Sequence, residues 1–144
     1  MLRRLILFAM RLLLISNGSQ KAIELHDWLQ RNHDVAFALN PPLKITDLHA
    51  HSMITGDERL DGIIEFEAFQ PATYSSRSAE LCFAHAFVQQ YRPSIPHVLL
   101  ASDNYAQYNA LTPRSATYRT LHNSTPASEI IELLIQLTRE TSKN

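Results

Sequence analysis

Four consecutive apolar residues, Leu12-Leu13-Leu14-Ile15, run directly into the polar stretch Ser16-Asn17-Gly18-Ser19. Strand side chains alternate between two faces, so an unbroken apolar run of this kind must be covered on both. That is the position of a central strand in a parallel sheet sandwiched by helices. The helical pattern that follows fits: Ser19 can cap a helix over 20–32, in which Ala22, Leu25, Trp28 and Leu29 form one apolar stripe.

The alternation continues along the chain. Val35, Phe37 and Leu39 alternate with Asp34, Ala36 and Ala38, predicting a second, half-buried strand that Asn40-Pro41-Pro42 stops. Asp47 can cap a short helix through Leu48, His51 and Met53, with Gly56 breaking it and Asp57-Glu58-Arg59-Leu60 giving one more helical turn. A third strand is expected over Gly62–Phe69, a helix from about Ser76 to Tyr91, a fourth strand over His97–Ala101 and a fifth, edge strand over Ala116–Leu121. Pro126 suits the first position of a last helix with Ile130, Ile131, Leu133, Leu134 and Leu137 on its apolar face. The order β-α-β-(α)-β-α-β-β-α predicts a flavodoxin-like, Rossmannoid three-layer α/β sandwich with about five mostly parallel strands in the order 2-1-3-4-5.

One domain is expected over 10–144, with residues 1–9 as an N-terminal extension. Met1-Leu2-Arg3-Arg4 and the apolar residues after it resemble the start of a signal peptide. Arg11 interrupts the run, however, and no small-x-small cleavage site follows. The stretch is also too short and too basic to span a bilayer. With 13 basic and 14 acidic residues, no net field favours nucleic acid or an anionic membrane. Cys82 is the only cysteine; it excludes an internal disulfide and suits a cytoplasmic protein. His49 and His51 are two residues apart, which on a helix places them on opposite sides, and no third ligand stands nearby; no metal and no cofactor are expected.

If the predicted sheet forms, polar groups gather at the carboxyl ends of its strands, where such sheets hold ligands. Ser16, Asn17, Gly18 and Ser19 come from the first strand; Gln70, Tyr74, Ser75, Ser76, Ser78 and Glu80 from the third; Ser102, Asp103 and Asn104 from the fourth. Hydroxyls, amides and carboxylates with little fixed positive charge suit a sugar or nucleoside better than a triphosphate, and no Walker or dinucleotide glycine pattern is present. Glu80 opens a helix behind a small polar loop. A carboxylate there can stabilise an oxocarbenium-like state or attack it, although a Glu near a helix start is also favourable to the helix dipole without any chemistry. Asp61 has a plainer reading too, as the residue that ends the turn before the third strand. Glu65 and Glu67 point the same way from that strand; carboxylates there are costly unless paired, and Glu67 is a second-acid candidate.

The run Glu80-Leu81-Cys82-Phe83-Ala84-His85-Ala86, with Leu60-Asp61 before its strand and Ser102-Asp103 beyond it, resembles the nucleoside 2-deoxyribosyltransferase-like proteins. The resemblance implies that Glu80 attacks the anomeric carbon of a nucleoside or nucleotide, with Asp61 and Asp103 aiding catalysis. Ser16, Asn17, Gly18, Tyr74, Ser76, Ser78 and Asn104 would bind the substrate in a homo-oligomer. Ile15-Ser16-Asn17-Gly18-Ser19 with Ala22, Leu25 and Leu29 is similar, more loosely, to Toll/interleukin-1 receptor-type domains, some of which cleave NAD. The alternative is a non-catalytic nucleotide-sensing or protein-interaction domain on the same fold, and Tyr74, standing where the first family has an aspartate, favours it.

Overall fold

The computed structural model describes residues 9–16, 18–39, 48–66, 88–101 and 117–142. Within them lie β1 (Arg11–Ser16), α1 (Gln20–Leu29), β2 (Asp34–Leu39), α2 (Leu48–Thr55), β3 (Gly62–Phe66), β4 (His97–Ala101), β5 (Tyr118–His122) and α3 (Ala127–Ser142). The strands form one sheet in the order β2-β1-β3-β4-β5, every neighbouring pair parallel. This is the flavodoxin-like arrangement the pattern predicts.

β1 is the centre of the packing. Leu12, Leu13, Leu14 and Ile15 are all fully buried. Leu12 and Leu14 share one face with Ile64, Phe66, Val98 and Leu100, covered by Ala22, Leu25 and Leu29 of α1 and by Ile130 and Leu134 of α3. Leu13, Ile15 and Ile63 line the other face, against Met53 and Ile54 of α2 and against Val88 and Ile95. The helices thus sit on both faces.

Local chemistry sets the boundaries. Ser19 caps α1, its hydroxyl accepting from Ala22 N at 3.3 Å. Gly18 before it adopts a φ of 82°, the left-handed region that glycine occupies without strain. Gly56 ends α2, donating to Ser52 O at 2.9 Å, and a Cβ there would meet that oxygen at 2.8 Å. Thr125 Oγ1 donates to His122 O in the turn before α3, and Pro126 O accepts from Ile130 N, so Pro126 stands just ahead of the helix.

Three expectations change. Trp28 is 38% exposed and not part of the α1 stripe. Phe37, on the edge strand β2, is likewise exposed and lies against the His26 ring, centroids 4.7 Å apart. Residues 57–60 form no helical turn: the Glu58 carbonyl accepts from Arg92 Nη2 at 2.9 Å rather than from a following amide. Of the helix expected over 76–91, residues 88–91 are helical and the rest lies outside the described residues. Among the described residues no helix is long and apolar enough to cross a membrane.

Leu13→Ala is expected to cost about 2–5 kcal/mol, because the site lies between two packed layers that cannot collapse onto it; urea denaturation measures this. A second test concerns His33. Its Nδ1 accepts from Met10 N at 3.1 Å, which requires the neutral ring, and burial lowers its pKa. The unfolded chain therefore takes up this proton at a higher pH than the folded one, so stability is lost as pH falls below the ordinary histidine range. Melting temperature should drop between about pH 7 and about pH 5, and His33→Gln should flatten that slope.

Candidate functional site

The sheet has two rims, and the structure separates groups that the sequence would place together. Ser16 and Gly18 stand at the carboxyl rim. Asp61 stands at the opposite, amino rim, just before β3, where its Oδ2 accepts from Arg11 N at 2.7 Å and pairs with Arg59 Nη2 at 2.9 Å. Its own amide donates to Arg11 O at 2.7 Å, so Asp61 extends the β1–β3 ladder by one rung. Separated from Ser16 by the length of the sheet, it cannot share a site with it. Asn17, Tyr74, Ser76, Ser78, Glu80, Asp103 and Asn104 lie outside the described residues, as do Glu67, Cys82 and His85.

Arg11 also reaches Asp34 at 3.9 Å and Glu58 at 3.5 Å, and Arg59 donates to Ala9 O. Arg92 caps α2: its guanidinium donates to Met53 O at 2.7 Å and Ile54 O at 3.1 Å, satisfying carbonyls the helix leaves open. A cavity of about 400 Å³ lies beside this network, lined by Leu60, Asp61, Tyr91, Arg92, Ile95 and Thr138 among others. Asp61 and Arg92 there are engaged with protein groups. The amino rim is a set of fastenings.

The carboxyl rim has a cavity of its own, about 300 Å³ in volume and lined by Lys21, Glu24, Phe66, Leu100, Ser124 and Thr125 among others. Lys21 Nζ donates to Asn123 Oδ1 at 3.4 Å, linking α1 to the turn after β5. Gln20 donates to Glu24 at 3.5 Å. The Ser16 hydroxyl accepts from Gly18 N at 2.9 Å and is fully buried. His122 Nδ1 accepts from Ser124 N at 3.1 Å and lies 2.7 Å from its hydroxyl. Lys21, Glu24 and Asn123 were not among the residues the sequence singled out. Their only signal was position: Lys21 and Glu24 lie on the helix entered from the central strand.

Glu65 does not face this rim. It is 4% exposed, and its Oε1 lies 2.9 Å from Nε2 of the fully buried His97. His97 pairs with Ile63 in the ladder, so the Glu65 side chain is drawn back two residues toward the amino end. With Glu65 as carboxylate, the His97 Nε2–H donates. The His97 ring packs edge-on against Tyr118, and Thr120 on the same face keeps a buried hydroxyl without a partner among the described residues.

No family model matches the chain, and no curated protein matches it with significance. Solved structures do. A response regulator receiver protein from Sinorhizobium medicae superposes with a TM-score of 0.62 at 13% identity, over 92% of this chain and 97% of that one. A receiver domain from Clostridium thermocellum gives 0.62 and 13%, over 94% and 98%. The receiver domain of a Pseudomonas aeruginosa sensor histidine kinase, with a magnesium ion coordinated in its active-site cleft, gives 0.57 and 13%, over 91% and 98%. At such identity the likeness is one of fold.

These matches overturn the deoxyribosyltransferase resemblance and the Toll/interleukin-1 one. The N-glycosidase activity, hydrolysis or transfer by Glu80, the nucleoside partner and the subunit-completed site fall with them. The physical reason is that an apolar strand and a polar loop are demands of a parallel βα unit, and a Glu near the helix start is favourable to the helix dipole in any of them. Among the described residues, Glu24 is the acid that lines the carboxyl-end cavity, which the Lys21 ammonium also lines, and no group of three His, Cys, Asp or Glu residues could hold a metal.

Removing one partner of the buried pair should be costly. Glu65→Ala is expected to lose about 3–5 kcal/mol, whereas Glu65→Leu combined with His97→Phe should stay near wild type. Urea denaturation of both decides it; equal losses would mean that the pair is not a coupled unit.

Proposed function

We propose that this chain is a receiver-fold binding module, a single domain from residue 10 onward that acts by presenting a surface to a protein partner in a signalling assembly. The observation that carries the reading is the end-to-end superposition on receiver domains, which leaves almost nothing of either chain unmatched. A cytoplasmic setting suits it and its single cysteine.

The described surface adds support. Ile23 of α1 is 45% exposed, and Phe37 of β2 is 39% exposed. His26, one helical turn after Ile23, packs at a tilt against Phe37. Apolar side chains grouped beside the edge strand are the chemistry of a protein contact. Ile23→Glu with Phe37→Thr should leave the far-ultraviolet spectrum unchanged, since neither side chain is in the core. Against a protein partner identified by pull-down with the wild type, it should weaken binding at least tenfold, or about 1.4 kcal/mol. Unchanged binding would exclude this surface, and turnover of a nucleoside by the wild type would overturn the reading.

A further inference from the structure

We propose that His33 is a proton-operated latch on the chain that enters β1: the neutral ring holds the Met10 amide, and protonation frees Ala9 and Met10 while the sheet from Leu12 onward stays formed. Both backbone groups of Met10 are held by consecutive residues ahead of and at the start of β2. Its amide donates to His33 Nδ1 at 3.1 Å, and its carbonyl accepts from Asp34 N at 3.0 Å. The turn that carries His33 is fixed in its own right, because His33 N donates to Leu29 O at 3.0 Å. The Met10 side chain is buried in the core cluster that holds Leu12 and Leu29, so the latch fastens a core residue.

An imidazole that accepts at Nδ1 carries its proton on Nε2. A second proton makes Nδ1 a donor facing the Met10 N–H, which leaves that amide without its acceptor. Burial of the ring opposes this proton, so the latch is closed near neutrality and opens as pH falls below the ordinary histidine range. The opening has a stop at Arg11, whose amide is held by the Asp61 carboxylate and whose carbonyl is held by the Asp61 amide, both at 2.7 Å. On the other side of Met10, Ala9 O accepts from Arg59 Nη2 at 3.1 Å, but that side chain is 61% exposed, and such a contact in water holds weakly. The charged groups on the elements that meet at this rim are Arg11 of β1, Arg31 and Asp34 beside His33, Glu58, Arg59 and Asp61 ahead of β3, and Arg139 and Glu140 next to Thr138 in α3. Arg11 reaches Asp34 and Glu58, and Arg59 is paired with Asp61; the side chain bonded to the Met10 amide is His33.

Amide hydrogen exchange of the full chain, followed by proton–nitrogen correlation spectra and corrected at each pH for the intrinsic rate, reads the latch directly. Protection of the Met10 amide should fall by up to about tenfold per pH unit below the ordinary histidine range, while Leu14 and Ile64 change far less. His33→Gln, whose side-chain oxygen accepts at any pH, should keep Met10 protection constant over the same interval. A parallel fall at Leu14 and Ile64 overturns the latch, since the sheet would then open as a whole. Survival of the pH dependence in His33→Gln assigns it to another group and overturns the role of His33. Nitrogen-15 shifts of the wild-type ring give a readout that needs no variant: a proton on Nδ1 at neutral pH would overturn the proposal.

Discussion

The burial of β1 on every side is the constraint on which the rest of the molecule depends. Its backbone is paired in parallel register with β2 on one edge and β3 on the other, and its side chains fill both layers of the core. A strand so placed leaves no backbone group for water to satisfy, so both neighbours and both helical layers must form together. The ends of β1 show the same economy. Asp61 closes the ladder at Arg11 with its amide and its carboxylate, and His33 accepts the amide of Met10 just ahead of the strand.

Polar groups inside this frame are tolerated where they are paired. Glu65 in a fully buried strand would be prohibitive alone; His97 on the next strand makes it tenable. Arg92 serves the same end by another route, with its guanidinium taking up three carbonyls around the end of α2. These contacts fasten the end of α2 and residue 58 to the segment that leads into β4.

The two rims then divide the labour. At the amino rim the charged residues are spent on one another and on backbone, so Asp61, an attractive acid in the sequence, is a structural clamp. At the carboxyl rim the described groups are a lysine, an amide, hydroxyls and a single exposed acid around a cavity. The resemblance to glycosidic enzymes rested on features that parallel βα units share, and several of the structures that superpose on nearly the whole chain are receiver domains.

Sequence by itself determined the order of elements, the parallel sheet and its strand order, because the apolar run of β1, the Ser19 cap and the stripe of α3 are local or periodic signals. It also marked Glu65 as a carboxylate that needed a partner. Only the tertiary structure supplied that partner, since the register of β3 on β4 sets His97 beside Ile63 and within reach of Glu65. The same holds for the Asp61–Arg11 fastening and for the Lys21–Asn123 link, which join residues far apart in the chain. Periodicity reports which face a side chain occupies. What lies across from it is decided by long-range register, which local sequence does not encode.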